Sequence, residues 1–232
     1  MTSLFIPYGA PLPSNLKELG VRVVGINMSN PPWKDQLPEG IKLITTVDVP
    51  KEKMQQITPT IEHAWGLIMA AHRRIIGAAQ DCLGDRDRWL APWQLSERRL
   101  GIIGLGRIGS RAQQIAFAFG MATVWYDPFV SGVQLAELLH ASDVVLVSCT
   151  LNDDTRGMLR GKLHLLRPDA ILVSIAPWEI LDPVEVVRAL VTNRLRAAAF
   201  DDWPSDYMSG DMIRLRSTGQ LTITPHIAGS TW

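Results

Sequence analysis

With 232 residues the chain can bury one good core or two modest ones, and its 47% apolar and 20% charged composition is that of an ordinary soluble globule. Lysine plus arginine and aspartate plus glutamate both number 23, so the formal net charge is zero. No long-range field gathers a polyanion, which argues against nucleic acid as a partner, and net charge does not oppose self-association.

The opening MTSLFIPYGAPLPSN has no basic leader ahead of a long apolar run, and no segment offers about twenty uninterrupted apolar residues, so secretion and membrane spanning are disfavoured. Cys82 and Cys149 make no disulfide framework, and a reducing cytoplasm is the expected compartment. Two short apolar strands are predicted at Val21 to Gly25 and Ile41 to Thr45, with Pro31, Pro32 and Pro38 keeping the stretch between them mostly in loop. From Pro59 to about Asp81 the pattern predicts one long helix, with Ile61, Trp65, Ile68, Met69, Ile75 and Ile76 at helical spacing. So broad a stripe predicts a helix that bridges packed regions or joins a subunit interface.

Beyond a tryptophan-marked loop the pattern becomes alternating strand and helix: RLGIIG, SRAQQIAFAFG, TVWYD, VQLAELLHA, DVVLVSC, AILVSI, DPVEVVRALVTN, RAAAFD and LTITPH. Such repetition predicts a mainly parallel sheet covered by helices, the doubly wound α/β class.

GLGRIG sits between the first of these strands and its helix. Gly104 permits a tight turn, Gly106 lets the backbone approach a pyrophosphate, and Gly109 permits close helix packing, with Arg107 and Ile108 completing the loop. The next strand ends at Asp127, where a carboxylate can accept from ribose hydroxyls and repel a 2'-phosphate, so NAD is favoured over NADP. Arg107 is placed to contact the pyrophosphate, and Cys149 is expected beneath the nicotinamide end as a buried, inert thiol.

Acid–base work at a hydroxyl or oxo group needs a titratable side chain near the strand ends, and His226 in LTITPHIAGS is the strongest candidate. Asp206 is the expected carboxylate partner, with Asp201 and Asp202 competing and Asp201 also suited to capping a turn. His63, His72, His140 and His164 have weaker cases, and no HExxH or paired-cysteine pattern supports a metal.

In order along nearly the whole chain, EHAWGLIMAAHRR, GLGRIG, VWYDP, ASDVVLVSCTLNDDTRGML, AILVSIAPWEILD, RAAAFDDW and LTITPHIAGS resemble the successive signatures of the NAD-dependent dehydrogenases specific for D-isomers of 2-hydroxy acids. The resemblance implies a Rossmann-like sheet with a truncated flavodoxin-like substrate domain, divided as residues 1–82, including the long helix, and 83–232. It puts His226 on the family's catalytic histidine and Asp206 on its paired glutamate, and it places Asp201 among the cofactor contacts. Two departures stand out. Pro177 occupies the place of the arginine that holds a substrate carboxylate, and Asn27 replaces a glycine in the substrate-side loop Gly25, Ile26, Asn27, with Trp178 as a further pocket residue. Arg73 and Arg74 are candidate replacements for the lost cation if their helix faces the cleft. What the resemblance implies is hydride transfer between NAD(H) and a small hydroxy or oxo compound, and the broad apolar stripe points to a homodimer through the long helix. The alternative is an inactive NAD-binding sensor, structural or interaction protein.

Overall fold

The computed structural model describes residues 2–6, 10–26, 31–45, 48–81 and 93–229, which form two compact units, Met1–Thr58 and Pro59–Trp232. The division falls between Thr58 and Pro59 rather than between 82 and 83. The long helix therefore counts with the second unit, because its apolar side chains are buried against that unit's sheet.

In the first unit, β1 (Thr2–Ile6), β2 (Val21–Ile26) and β3 (Lys42–Ile44) form a parallel sheet in the order β1-β2-β3, followed by the single-turn α1 (Lys51–Met54). Ile6, Leu16, Val21, Val24, Ile26 and Trp33 make its core. The first strand was not expected from the sequence: TSLFI is short, and only Ile6 in it is fully buried.

The second unit opens with α2 (Pro59–Arg73) and α3 (Ile75–Gln80). The single helix expected here is broken at Arg74, whose φ of 49° is left-handed. That break turns the apolar stripe away from the sheet, leaving Ile75 and Ile76 49% and 40% exposed instead of buried. Then follow β4 (Arg99–Ile103), α4 (Arg107–Ala118), β5 (Ala122–Tyr126), α5 (Leu135–Ala141), β6 (Val144–Val147), β7 (Ala170–Ser174), α6 (Pro183–Val191), β8 (Leu195–Phe200), α7 (Gly210–Ser217) and β9 (Leu221–Ile223).

The six strands are all parallel in the order β5-β4-β6-β7-β8-β9. Both faces are covered, as the near-continuous apolar strands require. Side-chain alternation sorts the residues: Leu100, Ile102, Val144, Leu146, Ile171, Val173, Ala197 and Ala199 share a core with Ile61, Trp65 and Ile68 of α2 and Ala112 and Ala116 of α4. Their neighbours Ile103, Val145, Val147, Leu172, Ala198 and Phe200 face the opposite core with Leu138 of α5, Val186 of α6 and Met212 of α7. This is the doubly wound arrangement. The strand order reverses at β4, whose partners are β5 on one side and β6 on the other, and such a switch point is where these sheets bind ligands.

Helix α2 crosses the sheet against the strand direction. His63, near its start, reaches Thr224 just beyond β9, while Arg74, just past its end, donates from Nη2 to the Arg196 carbonyl near the beginning of β8. Arg74 therefore lies at the end of the sheet remote from His226, and Arg73 beside it is exposed, which removes both as stand-ins for a substrate clamp at the strand ends. Among the described residues, no helix is long and apolar enough to cross a membrane, and no cluster of three or more His, Cys, Asp or Glu side chains could hold a metal ion.

Candidate active site

The glycine loop is closely packed at two of its three glycines. Gly104 has φ of 94°, and a Cβ there would meet the Cys149 backbone at 2.7 Å. At Gly109 a Cβ would fall 2.1 Å from the Gly104 carbonyl oxygen, so α4 sits against the turn at a distance that a side chain forbids. Nothing lies within 4 Å of the corresponding point on Gly106, which leaves the backbone open on the approach side. Gly106 is also the N-cap of α4, and no side chain caps the positive end of this twelve-residue helix. Arg107 and Ile108 begin α4 half-buried, and the Arg107 guanidinium is held below its usual value by burial and then by Arg111.

Asp127 binds the loop rather than standing free. Its Oδ2 accepts from the Leu105 N–H at 2.8 Å and its Oδ1 from the Phe129 N–H at 2.8 Å. Each oxygen keeps capacity for one more donor, as two ribose hydroxyls require. These features fit a dinucleotide: an open amide cradle at a helix start, and an oriented carboxylate one strand away. Cys149 is half-buried, and burial pushes its thiol up to about 11, an unreactive protonated state at neutral pH.

The second half of the site is the turn after β9. Asp201, 2% exposed at the end of β8, organises it. Its Oδ1 accepts from Thr224 Oγ1 at 2.6 Å and from the Ile227 N–H at 3.0 Å, and its Oδ2 accepts from the Ala228 N–H at 2.8 Å. His63 Nε2 completes the set, 2.9 Å from Thr224 Oγ1 and 3.3 Å from Asp201 Oδ1. Thr224 spends its proton on Asp201, so His63 donates from Nε2. Asp201 thereby shapes the turn, and its Oδ2, which accepts from the Ala228 N–H, keeps capacity for a further donor.

That turn holds His226 in a left-handed conformation, φ 54°, with its N–H donating to the Asp201 carbonyl at 2.6 Å. The imidazole Nδ1 lies 3.5 Å from Asp202 Oδ1. Asp206, the expected partner, is instead exposed in the turn beyond Pro204, and no ion pair joins it to His226 among the described residues. Asp202 Oδ2 accepts from the Trp178 N–H at 3.2 Å, which ties Trp178 to the same carboxylate. The hydrogen bond to Asp202 holds the His226 pKa above its ordinary value, burial opposing. For Asp202 burial acts upward, but His226 and the Trp178 and Trp203 N–H groups outweigh it and keep the carboxyl below its usual range. Pro177, ahead of Trp178, is the N-cap of a 3-10 turn and carries no side-chain donor.

Sequence reasoning singled out His226, named Asp202 only as a competitor to Asp206, and missed the contact of His63 with Asp201 and Thr224. Strand alternation carried a usable signal. Asp201 and Asp202 continue β8 and point to opposite sides, so one meets α2 and the other does not. Gly25 and Ile26 lie at the end of β2 in the first unit, with Gly25 paired to Phe5 and Ile44, and Asn27 lies outside the described residues.

Residues 65–228 match the family description "D-isomer specific 2-hydroxyacid dehydrogenase, NAD binding domain". The chain is 31% identical over 192 residues to a glyoxylate reductase of Aeropyrum pernix, covering 74% of this chain and 57% of that protein. It is 32% identical over 186 residues to a D-3-phosphoglycerate dehydrogenase of Archaeoglobus fulgidus, covering 74% of this chain and 35% of the relative. The chain therefore spans roughly a third to a little over half of these curated relatives. In fold it is similar to the apo D-lactate dehydrogenase of Escherichia coli, with a TM-score of 0.81 at 20% identity over 99% of this chain and 76% of that one.

Proposed function

We propose, from the premise that this chain belongs to the D-isomer specific 2-hydroxyacid dehydrogenase family, that it is an NAD-dependent oxidoreductase acting on a small hydroxy or oxo compound with His226 as its acid–base group. Bound NAD supplies the hydride acceptor, and NADH the donor. The chain's own part is to bind, orient and move a proton. The Gly104–Gly109 loop and the start of α4 would hold the pyrophosphate, and Asp127 the adenosine ribose. His226 would accept the substrate's hydroxyl proton on Nε2 in oxidation and give it back to the oxo group in reduction.

The observation that carries this reading is the paired, half-buried imidazole at the C-terminal end of the same parallel sheet whose β4 leads into a glycine loop of dinucleotide geometry. At Pro177 the chain offers no cation for a carboxylate, and Arg74 is engaged at the far end of the sheet. We therefore extend the proposal to substrates whose recognition does not depend on that clamp. Losing such a group from a site that needs it costs about 3 kcal/mol in transition-state stabilisation, so ordinary 2-oxo acids should be poor substrates.

Self-association belongs to the same proposal. Most of α2 is already buried within its own unit, so pairing of copies would draw on Ile75, Ile76, Phe117 and Phe119, all exposed at its periphery. The free Cys149 thiol suits a reducing cytoplasm.

The test is NADH titration by fluorescence followed by a 340 nm screen of 2-oxo acids and carbonyl compounds lacking a carboxylate. Micromolar NADH binding with turnover that His226→Asn abolishes supports the proposal. Binding without turnover across the screen overturns it in favour of the sensor or scaffold alternative, and no binding overturns the cofactor assignment.

A further inference from the structure

We propose that Asp202, and not Asp206, is the carboxylate that holds His226 in its proton-transfer orientation, and that it does so by bridging the imidazole to the backbone of Trp178. The inference rests on the reading of His226 as the acid–base group and assigns the residue that prepares it. Asp202 is a positioning residue: it touches neither substrate nor cofactor in this account.

The bridge has two ends, a backbone hydrogen bond and an ion-pair contact. On one side Oδ2 accepts from the Trp178 N–H, and the Trp178–Ile180 turn is itself held by the Gly157 N–H donating to the Glu179 carbonyl at 2.8 Å and the Leu159 N–H to the Ile180 carbonyl at 3.0 Å, with Ile180 fully buried. On the other side Oδ1 lies 3.5 Å from His226 Nδ1. The backbone carrying the carboxylate is anchored too, through the Asp201 N–H to the Ser174 carbonyl at 3.0 Å. A carboxylate only accepts, so the neutral imidazole must place its proton on Nδ1 to meet it. Nε2 then keeps its lone pair, as a base needs, and the imidazolium formed after proton uptake is stabilised by the adjacent charge.

The other acidic group facing His226 is Asp201, whose oxygens are engaged by Thr224, Ile227, Ala228 and His63. It contributes field but has little left to orient the ring. Asp206 stands where the family resemblance puts the partner, yet its turn leaves it in solvent. The chain thereby carries its carboxylate on the strand end itself and couples the histidine to the turn that begins at Pro177. Asp202 is thereby hydrogen-bonded to the turn in which Pro177 stands.

The experiment is long-range proton–nitrogen NMR of 15N-histidine-labelled protein across pH, with His226 assigned by loss of its signals in His226→Asn. In the wild type the neutral ring is expected to carry its proton on Nδ1. Asp202→Asn should lower the His226 pKa by at least about half a pH unit, roughly a threefold loss of proton affinity, while Asp206→Asn leaves it unchanged. An Nε2-protonated neutral ring in the wild type overturns the proposal, as does a shift in Asp206→Asn that Asp202→Asn lacks. The tautomer reading requires no Asp202 variant to fold. With a turnover substrate in hand, Asp202→Asn should lower kcat and move the pH profile with little change in KM. Absence of wild-type turnover would count against the proposed function alone, since the NMR result decides Asp202 independently.

Discussion

His72 supplies a quantitative test of how the second unit is packed. The ring is 2% exposed, lies 5.0 Å from the Trp93 ring, and its Nδ1 has no hydrogen-bond partner. Burial, then the positive charges of Arg73, Arg196 and Arg98, push its pKa from 6.5 down to about 4. Arg98 itself lies 4.5 Å over the Trp93 ring, so a protonated His72 would join guanidinium groups already gathered there. In the unfolded chain the same imidazole protonates near 6.5, so between that value and about 4 the unfolded state binds the extra proton and stability falls as pH falls. Integrating between those values gives a loss of about 2 kcal/mol at pH 5 relative to pH 7, rising to about 3 kcal/mol below pH 4. Replacing His72 by Gln removes the titration, whatever it costs at pH 7. Urea unfolding of both proteins at pH 7 and pH 5, followed by tryptophan fluorescence, isolates the effect as a difference of differences. The expected outcome is a pH-dependent loss about 2 kcal/mol smaller in the variant. Equal losses in the two proteins would refute a neutral, desolvated His72 and with it the cationic surroundings described for Trp93.

Three further outcomes follow from the geometry. Gly109→Ala places a methyl 2.1 Å from the Gly104 carbonyl, so α4 must move; NADH affinity by fluorescence titration should fall at least about tenfold, with about 1–3 kcal/mol of stability lost. Ile68→Ala, at a fully buried position between α2 and the sheet, should cost about 2–5 kcal/mol in urea unfolding. The His226–Asp202 pair has a pH window. The raised histidine contributes fully below its unfolded value and is lost as pH rises through its folded value, while the lowered aspartate contributes above its unfolded value and is lost as pH falls through its folded one. Thermal melts of the wild type and Asp202→Asn should therefore differ most between about pH 4 and 6.5 and converge at both extremes.

The larger unit was legible in the sequence because each of its signals is local. Apolar runs such as VVLV and AILVS fit strands buried on both faces, and the glycine spacing specifies a strand, a turn and a helix within a dozen residues. Less of the acid–base site was legible. Whether Asp202 or Asp206 meets His226 depends on how the chain leaves β8, and Pro204 turns Asp206 outward, a matter of loop path that composition does not encode. His63 was undervalued for a related reason: its role exists only because α2 runs against the strands and delivers its first turns to their C-terminal ends. The helix break at Arg74 escaped notice because neither glycine nor proline marks it, and the residue adopts the left-handed conformation without either.

The left-handed backbone at His226 also bears on the chain's history. Glycine occupies that region without a steric penalty and asparagine at a small one, so a lineage freed from any need for an imidazole at this turn would gain stability by drifting to either. Conformation and chemistry pull the position in opposite directions. On the function proposed above, the imidazole and the carboxylate that faces it are what offset that backbone cost.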